Sequence, residues 1–462
     1  MYKRQAIDYI VNWYQNTQRK PLVIRGARQV GKTTAVRMAA SQLKLAVIEI
    51  NLERHTDLEP LFNQYRINDL LFNFSLITGV SLNADSPAII FLDEAQAIPS
   101  AYACLRYFCE DMPNLAVILT GSLLDQVLNN YQLPSPVGRV EFYYMGALTF
   151  DEFLIAIKAE KERYALDSLS LDNMHLIPNS LHERLLGLVR QYTLSGGMPR
   201  CVQIGIDTQF NHADILKYQT ELLQTYKEDF SKYQGTQKAS TLSAFFNGIL
   251  AQVGQQFSHK QAHEIARNSS GDNRQLNTAI EHFEAARLFY RVIHTHANAI
   301  PLGTETKIRI SKFLFIDIGL LLCAQRIPPQ SVMNAPLELA NKGALAEQFV
   351  GQQLLYSQLG YIKPELYYWQ PPRSEAQAEV DFIYCHHNQI IPVEVKSGSR
   401  GSIKSLQSFV IKKQADIAIR ISSAKPSVNL LEAKLNKQKH DFTLLNIPFY
   451  LTNRLEQLLN DY

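Results

Sequence analysis

Two stretches carry side chains whose type and spacing could do chemistry. The first, Gly26-Ala27-Arg28-Gln29-Val30-Gly31-Lys32-Thr33, followed by Thr34, fits the phosphate-loop pattern GxxxxGK[ST]. Its glycines let the backbone wrap closely, so amide N–H groups face phosphate oxygens at the start of a helix. Lys32 is expected to reach the β and γ phosphates of ATP, and the Thr33 hydroxyl to bind Mg2+. Downstream, PAIIFLDE ends an apolar run, Ala88 to Leu92, in the adjacent carboxylates Asp93 and Glu94. Asp93 would hold the magnesium shell while Glu94 polarises the attacking water. A third run, LAVILTGS, delivers Thr120 and Ser122, which either sense the γ-phosphate or cap the next helix. Arg139 in SPVGRVEF is read either as a charge-stabilising finger, in cis or in a neighbouring subunit of a homo-oligomer, or as half of a structural ion pair. Gln96 in DEAQ is a further candidate, and Arg28 projects to solvent from the loop.

The second stretch is EVDFIYCHHNQIIPVEVK, residues 379–396. It reads as two strands, 379–385 and 390–396, joined by the turn HHNQ. Side chains alternate along a strand, so Glu379 and Asp381 share one face, as do Glu394 and Lys396, and the four can converge. An apolar strand is a costly place for such a cluster unless its members are paired or metal-bound. An Asp381 to Lys396 ion pair needing no metal is the plainer alternative. His386 and His387 fall in the turn and are expected to face solvent.

The elements that must position these groups follow the hydrophobic rhythm. Residues 1–150 alternate short apolar runs with helical patterns, which predicts a parallel α/β core. Residues 151–230 are helix-like and polar, as in a helical lid, broken by SGGMP. Residues 231–330 predict several helices, one of them across NRQLNTAIEHFEAARLFYRV, and a strand pair around Ile300 to Phe315. Residues 335–462 predict a helix followed by strands. The expected fold class is therefore a multidomain α/β chain.

Composition narrows the function. Of 462 residues, 46% are hydrophobic and 19% charged, a balance that excludes a disordered chain. MYKRQAIDYIVNWYQ lacks the apolar run of a signal peptide, and no run nears the roughly 20 residues a membrane helix needs, so a cytoplasmic protein without a membrane partner is expected. The five cysteines form no CxxC pair, which argues against a structural zinc or a disulfide frame. Net charge is only +3, but between residues 396 and 440 ten basic residues (Lys396, Arg400, Lys404, Lys412, Lys413, Arg420, Lys425, Lys434, Lys437, Lys439) stand against Asp416 and Glu432. That stretch is either a solvated basic face or a surface for DNA.

Taken in order, GARQVGKTT, IIFLDEAQAIP, LTGSLL, VGRVEFYYMGALTFDEF, GGMP, KFLFIDIGLL and YYWQ...AEVDFIY...IPVEVKSG resemble a bacterial and archaeal family of AAA-type ATPases with a C-terminal domain of unknown function. The resemblance spans essentially the whole chain. It implies ATP hydrolysis in the first domain and a winged-helix fold in the middle, which either binds DNA or connects domains. After GGMP the family usually carries an acidic residue where this chain has Arg200, so no role is carried onto that position. The C-terminal pattern, Asp381 followed by Glu394-Val395-Lys396, resembles the PD-(D/E)xK nucleases. That likeness implies Asp381 and Glu394 as ligands of a second Mg2+ or Mn2+, Lys396 as the group that positions the attacking water, and Glu347 on the preceding helix as a further acid. Two functions remain open: an ATP-driven enzyme that cuts nucleic acid, and a nucleotide-controlled switch whose nuclease-like domain only binds DNA or a protein.

Overall fold

The computed structural model describes residues 2–83, 85–122, 124, 136–232, 239–333, 342–371, 378–398, 402–435, 438–460 and 462. Arg400 and Lys437 of the basic stretch, and Leu123 of LTGSLL, lie outside them. The chain divides into two compact units, the first comprising Met1–Gly146, His282–Leu288 and Gln358–Pro364, the second Ala147–Glu281, Phe289–Ser357 and Glu365–Tyr462.

The first unit is built on five strands: β1 (Leu22–Arg25), β2 (Ala46–Asn51), β3 (Ala88–Asp93), β4 (Ala116–Gly121) and β5 (Glu141–Tyr144). They lie in the order β2-β3-β4-β1-β5, all parallel. Such a sheet is covered on both faces, which is why β3 and β4 read as unbroken apolar runs and are buried at every position. The register sets Asn51 beside Asp93 and Ile24 beside Thr120. The C-terminal ends of β1, β3 and β4 thus meet at one edge, the edge where ligands bind in open α/β sheets. The loop after β1 runs into the helix Lys32–Leu43, whose start the sequence pattern had placed.

In the second unit the segment after residue 147 is helical as expected, with helices Phe150–Ala156, Glu160–Asp167, Asn179–Ser195, Pro199–Asp207 and His212–Lys232. Helices Ala239–Leu250, His259–Asn268 and Asn273–Ala285 follow. Here the structure corrects the expectation of a continuous helix to residue 292 and of strands only around Ile300 to Phe315. The helix stops at Ala285, Arg287 takes a left-handed φ of 59°, and the aromatic and β-branched run Phe289–Thr295 forms strand β7. Strand β7 pairs antiparallel with β8 (Thr306–Phe315), which also pairs with the short β6 (Gln256–Phe257). Strands β9 (Leu366–Trp369), β10 (Val380–His386), β11 (Gln389–Val395), β12 (Ile417–Ser422), β13 (Ser427–Leu435) and β14 (Gln438–Pro448) extend the same sheet. Its nine strands run β13-β14-β12-β11-β10-β9-β7-β8-β6, and the helix Lys342–Tyr356 packs against β8, β9 and β11.

Two motifs that carry no obvious chemistry explain themselves in this unit. Asp317, from KFLFIDIGLL, is fully buried and caps the helix Ile318–Ala324 by accepting from the Leu320 amide at 3.0 Å. It also accepts from the Gly197 amide of GGMP at 2.6 Å and from Gln352 Nε2 at 3.4 Å. Gly196 has a φ of 69°, and any Cβ there would collide with the Asp317 carboxylate. The turn is tied further by Leu148 N donating to Gly197 O at 2.7 Å and Tyr192 Oη donating to Leu148 O at 2.5 Å. Arg200 follows on the exposed side of the next helix.

Burial pushes the Asp317 carboxyl from 3.8 to about 6, against the pull of its amide partners. The folded chain therefore holds this proton more tightly than the unfolded chain, so the stability it contributes is present at low pH and lost as pH rises through about 6. Asp317→Ala, which orphans buried amides, is expected to destabilise by about 3 kcal/mol in urea unfolding. Asp317→Asn keeps an acceptor and should lose less, and its stability should lack the wild-type decline between pH 4 and pH 6, values that bracket the shift to about 6.

Candidate functional site

The loop Gly26–Gly31 is held in shape by contacts that leave little choice of residue. A Cβ on Gly26 would collide with the Met145 carbonyl, and Gln29 and Gly31 have φ of 66° and 98°. Arg4, buried, donates from Nη1 to Val30 O at 2.6 Å and from Nη2 to Gly146 O at 2.9 Å. Arg4 therefore anchors the loop from outside the motif, and nothing in its sequence neighbourhood signals that role.

Lys32 is buried, and its Nζ donates to the carbonyls of Gly26 and Ala27, both at 2.9 Å. Burial lowers its pKa to about 8, opposed by the nearby Glu94 and Asp93 carboxylates. A buried ammonium whose hydrogen bonds go to the carbonyls of its own loop is a natural partner for a polyphosphate. Thr33 Oγ1 donates to Asp93 Oδ2 at 2.9 Å, and Thr120 Oγ1 donates to Asp93 Oδ1. The structure thus brings Thr33, Asp93 and Thr120 together as a set of hard oxygen donors, the kind that fits Mg2+. Thr34 is exposed on the first helical turn, Ala27 and Val30 are buried within the loop, Arg28 is partly exposed, and Ser122 is buried just beyond β4.

Glu94 sits in the left-handed region at φ 55°, which turns its side chain out of the strand direction of β3. Gln96 Nε2 donates to Glu94 Oε2 at 2.6 Å, and Gly121 leaves the space that Gln96 needs. Gln96 is therefore the residue that orients the candidate general base. Arg139 is engaged elsewhere, with its Nε donating to Glu110 Oε1 at 2.8 Å in a half-exposed ion pair.

The second cluster lies in the nine-stranded sheet. Phe382 opposite Val393 sets the hairpin register, so the next step places Asp381 across from Glu394. The observed strands are shifted by one residue from the expected ones, and this corrects one expectation: His386 is 5% exposed within β10, its Nδ1 3.3 Å from Glu456 Oε2. His387, at φ 49°, makes the turn.

Asp381 Oδ2 accepts from the Val395 amide at 2.8 Å. Lys396 Nζ lies 2.5 Å from Glu394 Oε1, so its ion-pair partner is Glu394 and not Asp381. Glu394 Oε2 is buried with no hydrogen-bond partner. Lys312 on β8, 3% exposed, supplies a cation the sequence reading did not assign: its Nζ lies 2.9 Å from Glu347 Oε2 and 3.5 Å from Asp381 Oδ1, and it pairs with Glu379. Three carboxylates hold Lys312 protonated despite its burial. Burial, reinforced by Asp381, pushes the Glu347 and Glu394 carboxyls up, against the pull of Lys312 on both and of Lys396 on Glu394. A lone lysine inside the apolar run SKFLFI is the signal that could have found it.

Part of the basic stretch is engaged within the chain. Lys434 and Lys439 share Glu432, Lys425 donates to Ile177 O at 3.1 Å, and Lys412 lies 5.8 Å from the Trp369 ring centroid.

Residues 18–154 match the family model of an AAA domain. Residues 186–331 and 342–450 match two domains of unknown function, DUF8612 and DUF4143. No curated protein matches the sequence. Among solved structures, the Walker-type ATPase PABY2304 of Pyrococcus abyssi is 15% identical, with a TM-score of 0.44 over 70% of this chain and 96% of that one. The Aeropyrum pernix ORC2 protein, in ADPNP and ADP complexes, is 12% identical with a TM-score of 0.34, over 72% of this chain and 95% of its own. The Thermotoga maritima RuvB Holliday junction branch migration motor is 14% identical with a TM-score of 0.29, over 63% and 90%. Likenesses of this size carry no property of those proteins onto this chain. The first unit, with its parallel sheet, its phosphate loop and its AAA-domain match, has the AAA-type P-loop ATPase fold. Among the described residues, no helix is long and apolar enough to cross a membrane, and no group of three or more His, Cys, Asp or Glu side chains is arranged to hold a metal ion.

Gly26→Ala should displace the loop from the Met145 carbonyl and lower the affinity for a fluorescent ATP analogue at least about tenfold, a loss of roughly 1.4 kcal/mol. Unchanged affinity would remove the loop from the nucleotide site.

Proposed function

We propose that this chain binds ATP with Mg2+ at the phosphate loop and hydrolyses it, and that the second unit acts on nucleic acid. The Asp93 carboxylate, gripped by Thr33 and Thr120 beside a buried Lys32, is the observation that carries the nucleotide reading. Thr33 and Asp93 would hold the Mg2+, which when bound neutralises charge on the β and γ phosphates. Lys32 leaves the Gly26 and Ala27 carbonyls for phosphate oxygens. Glu94, oriented by Gln96, accepts a proton from the attacking water. Thr120 and Ser122 report the state of the γ-phosphate, and Arg139 would reach a phosphate only by exchanging its Glu110 partner.

For the second unit, the helices and the β7–β8 hairpin of the middle segment support a winged-helix reading. The Asp381, Glu394 and Lys396 hairpin with Glu347 on a helix supports descent from PD-(D/E)xK nucleases. The buried, unpartnered Glu394 Oε2 fits a metal held by Asp381 and Glu394, which would supply a water of lowered pKa for phosphodiester hydrolysis. Lys312, drawn into the same carboxylates, favours the other reading, a nucleotide-controlled switch whose nuclease-like domain binds without cutting.

Lys32→Ala is expected to abolish ATP turnover in a phosphate-release assay, whereas Glu94→Gln should keep ATP bound and lower turnover by at least about a hundredfold, the scale of a lost general base. If Glu94→Gln fails to bind ATP, the division of labour between Asp93 and Glu94 is wrong. Binding of duplex DNA should weaken steeply between 50 and 200 mM salt, roughly the range over which phosphate contacts are lost. Cleavage of supercoiled DNA by wild type with Mn2+, lost in Asp381→Ala, would restore the nuclease reading.

A further inference from the structure

We propose that Lys312 is the built-in cation of the C-terminal carboxylate cluster and that it shuts the cluster to divalent metal. The proposal rests on reading Asp381 and Glu394 as nuclease-like carboxylates, and it assigns their present occupant.

A lysine buried on a strand is tolerated only where other groups replace its water. Lys312 has such a site. Glu347 approaches from the helix Lys342–Tyr356, at 2.9 Å, while Glu379 and Asp381 approach at the start of β10. The ring of the buried Tyr368 on β9 lies beneath the ammonium, with the centroid 5.5 Å from Nζ. Carboxylates on one side and an aromatic face on the other form a cage for a monovalent organic cation.

The cage consumes the oxygens a metal would require. Asp381 uses Oδ2 for the Val395 amide and turns Oδ1 toward Lys312. Glu394 uses Oε1 for Lys396, which leaves Oε2 as the one oxygen of this pair with no protein partner. A divalent ion bridging Asp381 and Glu394 would have to take Asp381 Oδ1 from Lys312 while standing close to its ammonium. Two cations cannot share that oxygen without strong repulsion in a buried site. Metal binding and the Lys312 ion pairs are therefore alternatives. The cluster opens only if the Lys312 ammonium leaves Asp381.

The test is Mn2+ binding to the full-length, nucleotide-free chain, followed by the loss of free Mn2+ signal in electron paramagnetic resonance. Wild type should show no Mn2+ site that depends on Asp381. Lys312→Met, close in length and uncharged, should gain one, at least tenfold tighter than any wild-type site, and Lys312→Met/Asp381→Asn should lose it again. Mn2+ should also raise the thermal midpoint of Lys312→Met and leave that of wild type unmoved. Where Lys312→Met does not fold, Lys312→Met/Glu347→Gln carries the same comparison with one fewer unpaired carboxylate. A wild-type Mn2+ site abolished by Asp381→Asn overturns the proposal, as does a folded Lys312 variant that gains no Mn2+. Mn2+ gained without DNA cleavage supports the proposal while removing the nuclease reading, so the two fail separately.

Discussion

The Asp317 carboxylate is fully buried, and it is tolerable there because the amides of Gly197, Leu320 and Gln352 point at it. Everything near it is arranged for that purpose. Two glycines allow the turn to approach, the helix after Asp317 presents its unsatisfied amides, and Tyr192 fixes the turn from the other side. The same constraint, a buried charge matched where it sits, recurs at Asp93 between two hydroxyls and at Lys312 among three carboxylates. In each case the matching groups come from distant parts of the sequence. These sites join elements that lie far apart in the sequence.

The two carboxylate sites differ in how they meet the cost of burial. Asp93 is served by neutral hydroxyls, and Lys32 bonds to its own loop, so no ion pair has to break for an anion to bind. Around Lys312 the charges answer each other directly, ammonium against carboxylate. The first arrangement suits a ligand that comes and goes. The second suits a fixed connection between strands.

The phosphate loop, the Asp93 and Glu94 pair and the strands behind them were legible because each lies within one short segment whose spacing dictates its geometry. The fully apolar runs of β3 and β4 announced a covered parallel sheet for the same reason. What escaped was set by pairing between distant segments. The helix-like pattern through Asn273 gave no warning that Phe289–Thr295 would leave it for a strand, because burial beside β8 and β9 decided the matter. His386 escaped through a one-residue shift in a hairpin, which moved it from turn to core. Lys396 lies on the expected face, yet its partner is Glu394, two residues away on that face, while Asp381 Oδ1 lies 3.5 Å from Lys312.

Strand β7 pairs in parallel with β9 from Val292 and Leu366 to Thr295 and Trp369. This ladder joins the segment matched by one domain of unknown function to the segment matched by the other. Backbone pairing across that line makes the two parts of one sheet, despite being described as separate modules. Cutting the gene between them would leave β9 with a bare edge of N–H and C=O groups, open to pairing with any other strand. The pair is therefore expected to be inherited together, and recombination that swaps one for an unrelated domain would have to rebuild the missing half of a sheet.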